Sequence, residues 1–228
     1  MSVTFVSSSS INVGSPTILD ALWPSGATLM AWVYPVTVGG GNLGRICDKS
    51  NWLFHCDNNI ATNSFTFEHL RDSTTGRWRM PNSQIAFSEW QHVAVSYDAS
   101  STANDPTLYY NGSSVTGTEL STPAGSPRDD SSSSMYIGNR SDATRYFDGK
   151  MADVRFYNRI LSADEVATIY ACRGHDGIVS GLVGRWKLDE LAAGAGAAPI
   201  DYSGNGNDGS VVGSPVYSDH PLSYRRTT

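Results

Sequence analysis

Apolar and polar positions alternate along most of the chain with the two-residue period of strands. In 90–97, Gln91, Val93, Val95 and Tyr97 share one face, and His92, Ala94 and Ser96 share the other. In 64–70, Phe65, Phe67 and His69 alternate with Thr66, Glu68 and Leu70. Shorter runs at 3–6, 10–13, 28–34, 77–80, 108–110, 113–115 and 135–137 read the same way. Runs 43–47 and 52–56 form a hairpin about 48–51, and Asn111-Gly112 marks a tight one. The Gly39-Gly40-Gly41 break and the Ser/Pro/Asp-rich stretch 121–134 read as loops.

The longest run, 148–158, opens on the turn signal Asp148-Gly149. Strict alternation places Ala152, Val154 and Phe156 on one face and Met151, Asp153, Arg155 and Tyr157 on the other. Ser162-Ala163-Asp164-Glu165 then supplies a capping box, which predicts a short helix from 163 to about 172, ended at Gly174. Many short strands with one helix predict an all-β chain, an antiparallel β-sandwich.

Five stretches carry a family resemblance. They are Ala31-Trp32-Val33-Tyr34-Pro35, Trp90 through Asp98, Leu108-Tyr109-Tyr110-Asn111-Gly112, Met135 through Asn139, and Phe147 through Val166. In this order they resemble a laminin-G-like domain of the concanavalin A-like lectin/glucanase superfamily. The resemblance implies a jelly-roll sandwich over 1–228 and leaves the ligand open, because one fold hosts many functions.

The segment 180–217 is out of order with that family. Leu182, Gly184, Trp186 and Leu188 alternate with Val183, Arg185, Lys187 and Asp189, and Asp201-Tyr202-Ser203-Gly204-Asn205-Gly206-Asn207-Asp208-Gly209 follows. The pattern resembles the opening of such a domain, yet it sits at the end. Circular permutation within the chain and strand exchange with a neighbouring subunit both account for it, and closure within the chain is the expected form. On either account Trp186 serves the core.

Composition narrows the function. The net charge is −6 over 228 residues, with pI about 5.2, which argues against a nucleic-acid partner. No run is long and apolar enough to span a membrane, and the strand-like N-terminus lacks the basic region of a signal peptide. Three cysteines, Cys47, Cys56 and Cys172, cannot all pair, although the first two flank a hairpin. Unpaired thiols are the expected state of a protein assembled in a reducing compartment.

Candidate chemistry is sparse. Glucanases of the superfamily carry paired acids along one strand. This chain has no such run: Glu68 stands alone between Phe67 and His69, so no enzymatic activity is expected. Many relatives bind calcium, and Asp201, Asn205, Asn207 and Asp208 offer hard oxygens for it, though Asn-Gly and Asp-Gly also make tight turns. For a sugar, the candidates are Trp78 beside Arg77 and Arg79, Tyr146 with Arg145, and Trp52, although for each ring a place in the core is the stronger expectation. The expectation is a non-catalytic binding module on a virion surface, a capsid decoration or fibre protein contacting other subunits or itself, with glycan adhesion. The alternative is an extracellular, secreted carbohydrate-binding or adhesion lectin.

Overall fold

A computed structural model describes residues 2–58, 62–190 and 198–218. The chain opens with β1 (Ser2–Phe5), β2 (Ser10–Gly14) and the long β3 (Ala27–Pro35). Next come β4 (Arg45–Asp48), β5 (Trp52–Asp57), β6 (Ser64–His69), β7 (Gly76–Arg79) and β8 (Gln91–Tyr97). Then follow β9 (Thr107–Tyr110), β10 (Ser113–Val115), β11 (Thr118–Ser121), β12 (Met135–Ile137) and β13 (Gly149–Tyr157). Helix α1 (Ala163–Cys172) precedes β14 (Leu182–Trp186), β15 (Ser210–Val212) and β16 (Val216–Ser218).

Two eight-stranded antiparallel sheets result. The first runs β10-β9-β8-β3-β13-β1-β16, with β14 also on β13; the second runs β11-β7-β6-β5-β4-β12-β2-β15. Their inner faces meet in one core, where Leu29, Val33, Val95 and Phe156 of the first sheet join Ile11, Ile46, Phe54 and Phe67 of the second. Apolar area removed from water there is worth about 25 cal/mol per Å². The helix covers the outer face of the first sheet: Val166 and Ile169 pack with Met30, Ala94, Tyr157 and Leu161. Its start is the expected capping box, in which Glu165 N donates to Ser162 Oγ at 3.2 Å and Ser162 N donates to Glu165 Oε2 at 2.9 Å.

The alternation expected for 148–158 is broken once. The register of β13 on β3 gains a residue between Ala152 and Arg155, and Asp153 has φ 49°. Asp tolerates that left-handed conformation, and a β-bulge results. Met151 therefore joins Val154 and Phe156 in the core, while Ala152 faces outward beside Trp32. A second register shift lies where β14 meets Phe156 and Tyr157. It puts Leu182 with the residues under α1, and Val183 and Trp186 in the core.

The last three strands pair with strands of the same chain. β14 continues the edge of β13 that β1 begins, β15 pairs with β2, and β16 pairs with β1. Trp186 is fully buried against Phe156 and donates from Nε1 to the Asn207 carbonyl at 2.9 Å. Trp186→Phe removes that bond and part of the ring, and is expected to cost about 1–2 kcal/mol. Urea unfolding of the purified variant measures it, and an unchanged midpoint would show that the Trp186 ring and its bond to Asn207 add nothing to stability.

Cys47 lies opposite Phe54 and Cys56 opposite Phe65, so the hairpin register does not bring these two thiols face to face. All three cysteines are free, Cys47 and Cys56 buried and Cys172 half-buried.

Candidate functional site

Antiparallel register sets whole rows of side chains side by side across a sheet. In the second sheet one row reads Ile11, Ile137, Cys47, Phe54, Phe67, Trp78 and belongs to the core. The rows on either side of it lie on the opposite face; apart from Leu53 and Tyr136 they are polar, and Arg45, Asp48, His55, Thr66 and Arg79 are buried there. One runs Arg45, His55, Thr66, Arg79, Thr118 across β4, β5, β6, β7 and β11. The other runs Ser210, Asn12, Tyr136, Asp48, Leu53, Glu68, Arg77, Ser121 across the whole sheet.

These side chains hold one another. His55 Nε2 lies 3.1 Å from Glu68 Oε1, and its Nδ1 lies 2.7 Å from the Cys56 carbonyl. Both nitrogens thus face acceptors. Arg77 Nε stands 3.1 Å from the same Glu68 oxygen as an ion pair off the hydrogen-bonding axis. Arg45 Nε donates to Asp48 Oδ2 at 2.9 Å, and Thr66 Oγ1 donates to Asp57 Oδ2 at 3.1 Å. Burial pushes the Glu68 carboxyl up, but the bond and charge of His55 and the guanidiniums of Arg77 and Arg45 outweigh it. They hold it below the usual carboxylate range. Arg79 is buried in the same face with no partner for its Nε.

The residues singled out from the sequence fall elsewhere, apart from Arg79. Trp78 is 3% exposed and stacks on Phe67 with centroids 6.2 Å apart. Its Nε1 donates to Asp105 Oδ1 at 2.7 Å, so the core holds this ring. Trp52 is likewise buried, with Nε1 donating to Asp130 Oδ2. Arg145 and Tyr146 lie in the loop after β12. Arg145 Nη1 donates to the Gly41 carbonyl at 3.3 Å, and the Tyr146 ring sits so close to Gly40 that a Cβ there would come within 2.9 Å of it. Strands β4, β5 and β6 separate β7 from β12, and these residues do not form one site.

A calcium ion needs oxygen lone pairs free to face it. Asp201 Oδ1 accepts from Arg185 N and Ser203 N, both at 2.9 Å. Its Oδ2 accepts from Ser203 Oγ at 2.8 Å and Asn207 N at 3.0 Å. Asp208 Oδ1 accepts from Asp201 N at 2.8 Å. Asn205 and Asn207 donate their amide nitrogens to the Val183 carbonyl at 3.2 and 3.1 Å. As arranged, these groups fasten the turn to β14. Among the described residues no three His, Cys, Asp or Glu side chains gather for a metal.

The family model of the concanavalin A-like lectin/glucanases superfamily, a laminin-G type, matches residues 7–167. No curated protein matches the chain. Among solved structures, a "putative carbohydrate binding protein" from Bacteroides ovatus ATCC 8483 aligns at TM-score 0.66 and 18% identity, covering 97% of this chain and 61% of its own. The binding domain of Paraclostridial Mosquitocidal Protein 1 aligns at TM-score 0.50 and 14% identity, covering 74% and 45%. The chain thus spans less than two thirds of the length of either. At these identities the likeness concerns the fold, and that fold is the jelly-roll sandwich of the two sheets. The chain belongs to the laminin-G-like branch of the concanavalin A-like lectin/glucanases superfamily.

Proposed function

We propose that the protein is a carbohydrate-binding module that holds a glycan across the outer face of the second sheet. The two polar rows on that face carry this reading. Sugar hydroxyls both donate and accept, and they match carboxylates and guanidiniums fixed side by side. Glu68, Arg77 and Arg79 supply these groups, and half-buried Tyr136 in the same face offers a ring to a sugar's C–H surface. The Bacteroides ovatus protein, named for carbohydrate binding, adds support at the level of the fold. A glycosidase needs an acid whose pKa is raised, whereas Glu68 is held low, which favours binding over hydrolysis.

A glycan array followed by calorimetry tests the proposal. Glu68→Gln and Arg77→Ala are each expected to weaken binding about tenfold or more, the worth of one lost hydrogen bond to a charged group, and Tyr136→Ala to weaken it by loss of the ring. EDTA is expected to leave affinity and melting temperature unchanged. Binding that ignores all three variants would overturn the assignment of the face. Release of reducing ends would replace binding by catalysis, and an EDTA-induced loss would restore calcium.

A setting on a virion surface is favoured by the three free thiols, which suit assembly in a reducing compartment. Copurification with a shell or fibre, against a monomer by sedimentation, tests that setting.

A further inference from the structure

Lys49 directly follows β4 and is fully buried, a rare place for an ammonium group. Its Nζ has three polar contacts. It donates to the Leu19 carbonyl at 3.0 Å and to Asp20 Oδ1 at 2.5 Å, and Asp130 Oδ2 stands 3.4 Å away. The surroundings are apolar: Leu19 is 0% and Trp52 1% exposed, and the Lys49 backbone N–H donates to the Trp52 carbonyl at 3.0 Å. Two further donors pin Asp130, Ala21 N on Oδ1 at 2.9 Å and Trp52 Nε1 on Oδ2 at 3.0 Å. The Asp20 side chain has no hydrogen-bond partner but Lys49 among the described residues, and it is 16% exposed. Ala21 and Ser50, the residues after Asp20 and Lys49, have φ 48° and 61°. Both are left-handed, a conformation that costs energy in a non-glycine residue and persists where the surroundings impose it. An ion pair this deep forfeits the hydration of both charges, and one ammonium between two carboxylates leaves a charge unbalanced.

We propose that this triad is a self-modifying site in which Lys49 and Asp20 join through an intramolecular amide, with Asp130 as the proton relay. The contact of Nζ with Oδ1 puts the Asp20 carboxyl carbon, one C–O bond further on, at about the 3–3.5 Å of a near-attack pair. A first proton passes from the Lys49 ammonium to the Asp20 carboxylate, giving an amine and a carboxylic acid. The Nζ lone pair then attacks Cγ, and the N–C bond forms. Asp130 takes the second Nζ proton and returns it to the departing hydroxyl; the C–O bond breaks, and one water leaves past the exposed edge of Asp20. The third proton stays on the amide nitrogen. The step consumes no oxidant or co-reactant, and it removes one positive and one negative charge from the interior. The amide ties the connection that enters β3 in the first sheet to the end of β4 in the second, in a chain whose three cysteines are all free. The triad shares no residue with the two polar rows of the second sheet, and either assignment can fail without the other.

The test weighs the denatured, intact wild-type protein by mass spectrometry and then digests it with trypsin. Its mass is expected to fall short of the sequence mass by one water. The segment ending at Arg45 is expected to appear joined to 46–71 through Lys49, where trypsin no longer cuts. Lys49→Arg keeps a cation between the aspartates but offers no amine. It is expected at full mass and with a lower melting temperature, because no cross-link restrains its unfolded chain. Asp130→Asn is expected to leave part of the folded protein uncoupled, and complete coupling in that variant would strike Asp130 from the mechanism. A wild-type protein at full sequence mass would overturn the proposal, whether or not the variants fold. So would a missing water that maps to a succinimide at one of the Asp-Gly pairs, or a branch at Asp130 in place of Asp20.

Discussion

Acidification from pH 6.5 to about 4 is expected to destabilise the protein by about 3 kcal/mol for each of two buried histidines, His69 and His92. Burial is the first cause for both. For His69, Arg71 adds to it and Asp130 opposes; for His92, Asp153 opposes, Arg155 adds and Asp176 opposes. Each ring is held down to about 4 in the folded chain and returns to about 6.5 when the chain unfolds. Between those values the unfolded state binds more protons, so stability falls as pH falls, by about 1.4 kcal/mol per pH unit per ring. Below about pH 4 these two rings add nothing further. Urea unfolding at half-unit pH steps gives the slope, and His92→Phe should remove about one proton from it. A flat profile across this window would mean that both rings charge freely in the folded protein.

Arg155→Leu is expected to cost about 3–5 kcal/mol at neutral pH, because it strands buried carboxylates. Arg155 is 1% exposed and donates to Asp153 Oδ2 at 2.6 Å and to both oxygens of Asp176 at 2.9 and 2.8 Å. Arg185 Nε holds the other oxygen of Asp153 at 2.8 Å, so Asp176 loses most. Burial pushes both carboxyls up; the guanidinium of Arg155, joined at Asp153 by Arg185, brings them below their ordinary value. A lowered carboxyl stabilises the fold above its unfolded pKa, and that contribution is lost as pH falls through the folded pKa. Without Arg155, burial dominates and the carboxyls stay protonated at higher pH. The deficit of the variant should therefore be largest near neutrality and shrink toward pH 4. Unfolding free energies at both pH values check this, and a deficit independent of pH would locate the loss in packing alone.

The architecture was largely legible in the alternation. Runs such as Val93-Ala94-Val95 and Phe65-Thr66-Phe67 carry their core face in their own order, and Ser162 with Glu165 announces the helix. The bulge at Asp153 was not legible, because a strict two-residue count has no place for one left-handed residue. The candidate face was hidden for a different reason. Glu68 looks isolated in sequence, since its partners His55 and Arg77 come from the strands on either side of it. Asp48 meets Tyr136 only because β12 inserts beside β4 from far along the chain. Trp78 was a sugar candidate because arginines flank it, yet alternation sends Arg77 and Arg79 to the outer face and leaves the indole in the core, the stronger of the two expectations for it.

Strand β13 gathers partners from 2–5, 27–35 and 182–186. During vectorial synthesis, β1 emerges first and must wait for residues 149–151 before its first antiparallel neighbour exists. At 5–20 residues per second that interval is roughly seven to thirty seconds. Throughout it, Val3 and Phe5 lie on an unpaired strand in a crowded solution. Slower synthesis is thus expected to lengthen the time for which β1 lacks its sheet partners.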